Sequence, residues 1–271
     1  MDIKELIYSL NHVTLADFRF LDQEDQTEVN DFLREGSLKE IADQILQWES
    51  HYPSIPRRNI AVSKNPTYPI LYLDLEVPLA LDLTYFVFFI KDNEKLSSTI
   101  ETFKKQVTDL ISKKEYKQYF FVMPKLFAIE LGRMLAQKVE IDNSFCEAFL
   151  YAYYAQENGQ ARLTKEDFNM LEKGLTGLQE LHSQLKKKYG EQIKVYRGGG
   201  DLSTPCDEAG SWTTDINMAY RFARSVSGKE QKYLWSGYVT PEAVLDVSNV
   251  EEDELLCRPG SVFDIKRTNL L

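Results

Sequence analysis

The chain has few of the residues that mark metal-bound, disulfide-linked or membrane proteins. Its three cysteines are odd in number and widely spaced, without a CxxC pattern, which favours reduced thiols in a cytoplasm. The three histidines, His12, His51 and His182, are isolated from one another, so no metal site is expected. No apolar run approaches the roughly 20 residues that a membrane helix needs.

No signal peptide is visible at the N-terminus, because Met1-Asp2-Ile3-Lys4-Glu5 is not followed by the usual apolar segment. We therefore expect a cytoplasmic protein, or one delivered into a host cytoplasm, with no membrane partner. Acidic residues outnumber basic ones by 42 to 32, for a net charge of -10. This charge disfavours broad binding to nucleic acid or anionic membranes but is compatible with a local basic groove.

The 271 residues suit one large domain or two small ones, and the first half predicts a small α+β domain. Apolar residues recur at helical spacing through the first fifty positions, and Ser37 with Glu40 fits a capping box. The other elements predicted here are strands at 70–77, 85–90 and 119–123, and an amphipathic helix at 97–114. We place this domain at residues 1–118, as a candidate for binding a target or an immunity partner.

The second half predicts helices followed by short strands, again the α+β class. The helices are expected at 126–138, 144–156 and 167–189. The strands are expected at 193–197, 210–214, 233–239, 244–247 and 262–265, with one helix between them at 216–225.

The strand end Val195-Tyr196-Arg197-Gly198 is the first candidate for chemistry. A guanidinium binds a diphosphate through two parallel hydrogen bonds, which lysine cannot copy. The glycines Gly198–Gly200 would let a ligand approach the backbone and would leave their N–H groups open to an anion. The alternative is an arginine paired with a surface acid beside a flexible turn.

The second candidate is Ser211-Trp212-Thr213-Thr214. On a strand, Ser211 and Thr213 face one side, where their hydroxyls can hold a carboxylate. The alternative is a hydroxyl-rich strand without a function. In either case Asp215 is expected to cap the following helix.

The third candidate is the acidic run Glu251–Glu254, which is followed by an apolar strand and a Pro-Gly turn. Acidic runs usually form solvated loops. Glu254, next to Leu255-Leu256, would be the least solvated carboxylate of this run. Glu252 would lie on the same side, two positions earlier.

Together and in this order, the motifs resemble the arginine-serine-glutamate class of ADP-ribosyltransferases. The pattern is Tyr-Arg-Gly, then Ser-x-Thr with a helix ending Ala-x-x-Phe-Ala, then Glu-x-Glu-Leu-Leu before Pro-Gly-Ser-x-Phe. The class includes clostridial binary-toxin enzymes, vertebrate ecto-transferases and phage-encoded transferases. The resemblance covers roughly residues 126–271 and implies a catalytic domain at 119–271, with helices preceding a split mixed β-sheet.

The middle motif departs from the usual Ser-Thr-Ser by carrying Trp212 and Thr213. Either Ser211 or Thr213 is therefore the counterpart of the functional serine, and we favour Ser211.

The resemblance implies that NAD is the substrate and that its nicotinamide–ribose bond breaks through an oxocarbenium-like transition state. Arg197 would bind the NAD phosphate, and Glu254 would bind the ribose hydroxyl and stabilise the developing positive charge. Ser211 would orient Glu254, and Glu252 would position or deprotonate the acceptor. The expected NAD contacts are Arg197, Gly198, Ser211, Thr213, Phe222 and Glu254.

A glutamate at the first position of Glu-x-Glu resembles the members that modify arginine. We therefore expect a mono-ADP-ribosyltransferase that acts on protein arginine, such as a bacterial toxin, an effector or a phage-encoded modifier. The alternatives are an RNA or DNA acceptor, an NAD glycohydrolase, and an inactive binding or immunity protein with the same fold.

Overall fold

In a computed structural model, the chain forms two compact units, Met1–Arg162 and Leu163–Leu271. The residues that the structure describes are 18–22, 26–35, 39, 42–63, 68–90, 92–155, 163–201, 203–226, 231–248 and 253–270. The sequence analysis placed the boundary between domains after residue 118. The division falls later because the helices between residues 128 and 154 pack within the first unit.

Unit 1 contains a four-stranded antiparallel sheet in the order β1-β2-β3-β4. Its strands are β1 Arg19–Phe20, β2 Ile60–Val62, β3 Ile70–Asp74 and β4 Leu79–Asp82. Every residue of β3 is buried, as expected for its apolar run. The strand predicted at 70–77 is thus confirmed up to Asp74, where a turn leads into β4.

The helices of unit 1 are α1 Gln26–Glu35, α2 Ala42–Leu46, α3 Trp48–His51, α4 Asn93–Ser112, α5 Tyr116–Val122, α6 Ala128–Ala136 and α7 Asn143–Tyr154. They confirm the helices predicted at 97–114, 126–138 and 144–156, apart from shifts at the ends. The capping box proposed for Ser37 and Glu40 lies outside the described residues.

The strand predicted at 85–90 is wrong, because Phe86–Ile90 forms a π-helical turn. Tyr85 is 62% exposed and Phe89 is 75% exposed, so the run is not a buried one. Leu83 and Val87 are the fully buried residues here, and their spacing of four suits a helix rather than a strand.

The strand predicted at 119–123 is also wrong, since these residues belong mainly to α5. Tyr116, Tyr119 and Phe120 are buried, at the i, i+3, i+4 spacing of one helix face. Phe121 points away from them and is 77% exposed. The strand prediction began at Tyr119 and so left out Tyr116. The remaining residues form a continuous apolar run, which resembles a buried strand.

Helices α5, α6 and α7 share one aromatic cluster. The Phe120 ring lies 6.2 Å from Phe145 and 6.1 Å from Phe149, centroid to centroid. A Cβ atom at Gly132 of α6 would stand 2.8 Å from the Phe149 ring, so only glycine allows this approach. This packing places α6 and α7 in unit 1, whereas the sequence analysis grouped them with the strands that follow.

Unit 2 begins with two helices, α8 Lys165–Gly174 and α9 Leu178–Tyr189. The single helix predicted at 167–189 is therefore interrupted. Leu175 is extended and Gly177 has a φ of 81°, a left-handed conformation that glycine adopts without strain. The leucine spacing predicted the buried side of both helices but not the break between them.

Among the described residues, the sheet of unit 2 has six strands in the order β10-β7-β5-β6-β9-β8. The strands are β5 Ile193–Gly200, β6 Ser211–Thr213, β7 Lys232–Val239, β8 Val244–Val247, β9 Glu254–Cys257 and β10 Phe263–Leu270. Helix α10, Ile216–Ser225, follows β6 at the predicted position. The five strands predicted here are thus confirmed, with some shifted ends.

All neighbouring strands of this sheet run antiparallel, so the expectation of a mixed sheet is wrong. Antiparallel neighbours can be joined by short connections, whereas parallel strands need a long crossover. A buried cluster on one side of the sheet includes Val195, Trp212 and Leu255, from three adjacent strands. This cluster holds together the strands that carry the three sequence motifs.

Asp74 closes the turn between β3 and β4 in unit 1. Its Oδ1 accepts hydrogen bonds from the N–H groups of Glu76 and Val77, both at 2.9 Å, and its Oδ2 accepts one from Lys104 Nζ at 2.6 Å. Burial by itself raises the pKa of Asp74, but these donors outweigh it and hold the pKa below its usual range. One carboxylate thus links the hairpin to α4.

We expect Asp74→Ala to lower the free energy of unfolding by about 3 kcal/mol, because Lys104 and two main-chain N–H groups lose their acceptor. Asp74→Asn should cost less, since its amide oxygen still accepts from the turn. Urea unfolding at pH 7 measures both changes.

The pH dependence supplies the control for this prediction. A depressed pKa in the folded state stabilises the protein above the unfolded-state pKa of about 3.9, and this contribution is lost as the pH falls through the folded-state value. The difference between wild type and Asp74→Asn should therefore shrink below about pH 4. Equal stability of the two proteins at pH 7 would contradict this account of the turn.

Candidate functional site

The three sequence motifs lie on three neighbouring strands of unit 2. Arg197 is on β5, Ser211-Trp212-Thr213 forms β6, and Glu254 begins β9. In the sheet, β6 lies between β5 and β9. Adjacent strands are about 4.8 Å apart, so residues distant in sequence are brought within about 10 Å across the sheet.

Glu254 stands directly opposite Thr213 in the antiparallel pairing of β6 with β9. Opposite residues share one side of a sheet, with Cβ atoms about 5 Å apart. Ser211 instead pairs with Leu256, two positions further along β9. The sequence analysis favoured Ser211 as the hydroxyl that orients Glu254, whereas this register brings Thr213 nearest to the carboxylate.

Thr213 is buried, and its Oγ1 accepts a hydrogen bond from the Asp215 N–H at 3.0 Å. Asp215 caps α10 as expected, with its carboxylate accepting from the Asn217 N–H at 2.8 Å. The candidate hydroxyl is therefore held at the junction between β6 and α10. This placement limits its motion relative to the carboxylate on β9.

The backbone around Glu254 is fixed on both sides of the residue. Its carbonyl accepts from the Ser248 N–H at 2.9 Å, and the carbonyl of Asp253 accepts from the Thr214 N–H at 3.3 Å. Asp253 has a φ of 44°, an uncommon conformation outside glycine that turns the chain sharply into β9. Glu252, the predicted acceptor-side carboxylate, lies outside the described residues.

Arg197 forms a hydrogen bond across the shortest strand pairing of the sheet, that of β5 with β6. Strands β5 and β6 share a single pair, Tyr196 with Thr213, and Arg197 Nη1 donates to the Ser211 carbonyl at 2.7 Å. The guanidinium therefore adds a side-chain hydrogen bond to the pairing of β5 with β6. By strand alternation, Arg197 leaves β5 on the side opposite Tyr196 and Thr213. Its contact with NAD phosphate stays a prediction.

The glycines after Arg197 are part of β5 rather than an open loop. Gly198, Gly199 and Gly200 pair with β7, and the Gly200 N–H donates to Ser203 Oγ at 2.8 Å. The expectation that all three N–H groups are open to an anion is therefore wrong.

Gly198 is required by α10, which lies directly on β5. A Cβ atom at Gly198 would fall 1.8 Å from the Ala219 carbonyl oxygen and 2.6 Å from the Ala223 nitrogen. The alanines of the Ala-x-x-Phe-Ala motif are thus the helix side of this contact, a role that the sequence analysis missed. Phe222, between them in sequence, is 42% exposed, and its contact with NAD stays a prediction.

Among the described residues, three carboxylates lie where β6 ends and β9 begins, namely Asp215, Asp253 and Glu254. The Thr214 N–H joins the two strand ends by its bond to the Asp253 carbonyl. Negative charge concentrated in this way attracts cations such as guanidinium groups. The sequence analysis included Asp253 in the acidic run without giving it a role, and it assigned Asp215 only to the cap of α10, because the strand pairing that brings the two together is not visible in the sequence.

Cys257 lies buried at the far end of β9. Burial, and then the negative charge of Glu254, raises the pKa of its thiol. Cys257 is therefore a neutral core residue and not a nucleophile at neutral pH.

Neither a metal centre nor a membrane span is found in the described part of the chain. No three His, Cys, Asp or Glu residues there are grouped to hold a metal ion. No described helix combines the length and the apolar character needed to cross a bilayer. Comparisons with family models, curated proteins and solved structures gave no match.

We expect Gly198→Ala to destabilise the protein by about 3 kcal/mol, because its methyl group would overlap the backbone of α10. The matched control is Gly177→Ala, where a Cβ atom meets nothing within 4 Å and the backbone is left-handed, with a φ of 81°. That change should cost only about 1–2 kcal/mol of backbone strain. Denaturant unfolding compares the two, and equal losses would contradict the close contact between α10 and β5.

Proposed function

We propose that the chain is an NAD-dependent mono-ADP-ribosyltransferase that transfers ADP-ribose to an arginine side chain of a protein. The adjacency of β5, β6 and β9, with Thr213 opposite Glu254, supports this proposal. The resemblance to the arginine-serine-glutamate class calls for Arg197, a hydroxyl and Glu254 in one site. The strand pairing puts Thr213 and Glu254 on the same side of the sheet, whereas Arg197 leaves the neighbouring strand β5 on the other side.

The reaction would begin with cleavage of the nicotinamide–ribose bond. Nicotinamide leaves with the bonding electron pair, and positive charge develops on the ribose. Glu254, half-buried at the start of β9, would stabilise that charge more strongly than it stabilises neutral ribose. Its preference for the transition state is what accelerates the step.

Transfer is completed when a nitrogen of the acceptor attacks the ribose carbon. An arginine side chain is protonated at neutral pH, so it must lose a proton as it bonds. Glu252, two residues before Glu254, would take that proton. The overall reaction then gives ADP-ribosylarginine, nicotinamide and a proton.

The charges near the site favour arginine over nucleic acid as the acceptor. Asp215, Asp253 and Glu254 attract a guanidinium group and repel a phosphodiester backbone. The net charge of -10 acts in the same direction over longer distances. A protein arginine is therefore the acceptor that the described electrostatics fit best.

We expect Glu254→Gln to lower the rate of nicotinamide release by at least about 100-fold, because a neutral amide cannot stabilise the ribosyl cation. NAD affinity should stay within a few-fold of wild type, since the amide still forms hydrogen bonds. Nicotinamide release by purified protein, with agmatine as an arginine analogue, and calorimetric titration with NAD measure the two quantities.

The matched control for Glu254→Gln is Asp264→Asn, which neutralises a carboxylate on β10, outside the site strands. Asparagine suits the left-handed conformation of this position, where φ is 51°. This variant should retain wild-type turnover. Full turnover by Glu254→Gln would overturn the role of Glu254.

We expect Thr213→Val to lower the rate of nicotinamide release by about tenfold or more, with little change in NAD affinity, because the hydroxyl opposite Glu254 is lost. Ser211→Ala should stay within a few-fold of wild type. Thr213→Ser should restore the rate, which separates the hydroxyl from side-chain packing. A larger loss in Ser211→Ala than in Thr213→Val would assign the positioning role to Ser211.

A further inference from the structure

Strand β10 is one of the two edge strands of the unit 2 sheet, and β8 is the other. One edge of β10 pairs with β7, and among the described residues no strand pairs with the other edge. Every residue from 264 to 269 is exposed. An outer edge of this kind carries main-chain N–H and C=O groups that can accept an additional strand.

The regular part of this edge is the segment Lys266–Leu270. Each of its residues pairs in an unbroken register with β7, whereas the register shifts between Phe263 and Lys266. Asp264 has a φ of 51° within that irregularity. Such bulges disfavour pairing, so an incoming strand would use Lys266–Leu270 rather than the beginning of β10.

The regular edge is cationic on both sides of the sheet. Lys266 and Arg267 are consecutive, so their side chains leave on opposite sides. Arg267 lies 4.8 Å from the Tyr233 ring centroid, and neither β10 cation takes part in an ion pair within the described residues. An incoming strand would therefore meet one cation on each side.

This charge selects between two possible occupants of the edge. Pairing with a second copy would place two lysines and two arginines in one short ladder, and like charges across strands are destabilising. A segment with acidic residues at consecutive positions would instead oppose a cation on each side. The Leu270 carbonyl of this edge accepts from Gln231 Nε2 at 3.0 Å, which leaves the segment before it for pairing. The strand edge and the two cations without an ion pair thus favour the same partner, an extended acidic segment.

We propose that the Lys266–Leu270 edge adds an extended acidic segment of the acceptor protein as a seventh strand of the sheet. That this partner is the acceptor rests on the proposed function. The edge would then dock the acceptor protein, while the carboxylates near β6 and β9 receive its arginine. Binding and catalysis are separable, because Lys266 and Arg267 lie outside the site strands.

The test uses the full chain and a fluorescein-labelled peptide, Thr-Val-Glu-Glu-Val-Thr, titrated by fluorescence anisotropy without NAD. We expect saturable binding that weakens about tenfold in the double variant Lys266→Glu/Arg267→Glu, since two attractions become repulsions. The matched control, Lys173→Glu/Lys187→Glu, makes the same charge change on α8 and α9 and should bind like wild type.

A second peptide separates strand pairing from simple charge attraction. It has the same sequence with alternate backbone amides N-methylated, which removes donors but keeps both glutamates, and we expect its binding to be lost. Equal binding of the two peptides, or no effect of the double variant, would overturn the proposal. Light scattering that shows a dimer abolished by the double variant, or stronger binding of oligothymidylate than of the peptide, would also overturn it.

Catalysis is measured separately, so that each proposal can fail alone. Attaching the acidic segment to an arginine peptide should lower its KM for ADP-ribose transfer by wild type but not by the double variant. Nicotinamide release from NAD alone should be equal in both proteins. If neither protein releases nicotinamide, the proposed function fails, whereas unchanged KM values with normal release would overturn only the docking of the acceptor.

Discussion

The pairing of the three-residue strand β6 is the constraint on which the candidate site depends. On one side β6 pairs with β9 along its full length, and on the other it meets β5 through one pair and the bond from Arg197 to the Ser211 carbonyl. A slip of one residue in this register would turn Thr213 to the other side of the sheet, away from Glu254. The core around Trp212 and the contact of α10 with Gly198 hold the register in place.

The charges of unit 2 are distributed in a way that suits two tasks. Carboxylates gather where β6 ends and β9 begins, and the two cations of the edge strand β10 have no ion pair within the described residues. In our proposals the first group draws in an acceptor arginine and stabilises a ribosyl cation, while the second binds an acidic part of the same protein. The carboxylates near β6 and β9 repel acidic groups, and the cations of β10 repel arginine. The two surfaces together would therefore orient the acceptor as it binds.

Much of unit 2 could be predicted from the sequence, because its strands are short, alternate in hydrophobicity and are separated by clear turns. The order of those strands could not, since pairing between distant segments leaves little local signal. The choice between Ser211 and Thr213 depends on the register of β6 with β9 and was therefore beyond the sequence. Gly198 was interpreted as room for a ligand, because nothing in the local sequence shows that helix α10 packs against this residue. In unit 1, aromatic runs resembled strands, although their buried residues follow a helical spacing.

The most direct test of the central claim is transfer of label from adenine-labelled NAD to a cell lysate, followed by protease or nuclease digestion. The account predicts label in protein bands that protease removes, nuclease leaves and neutral hydroxylamine releases, as expected for ADP-ribosylarginine. Label that survives protease but not nuclease would contradict the protein acceptor. Absence of both label and free nicotinamide would contradict the proposed enzyme itself.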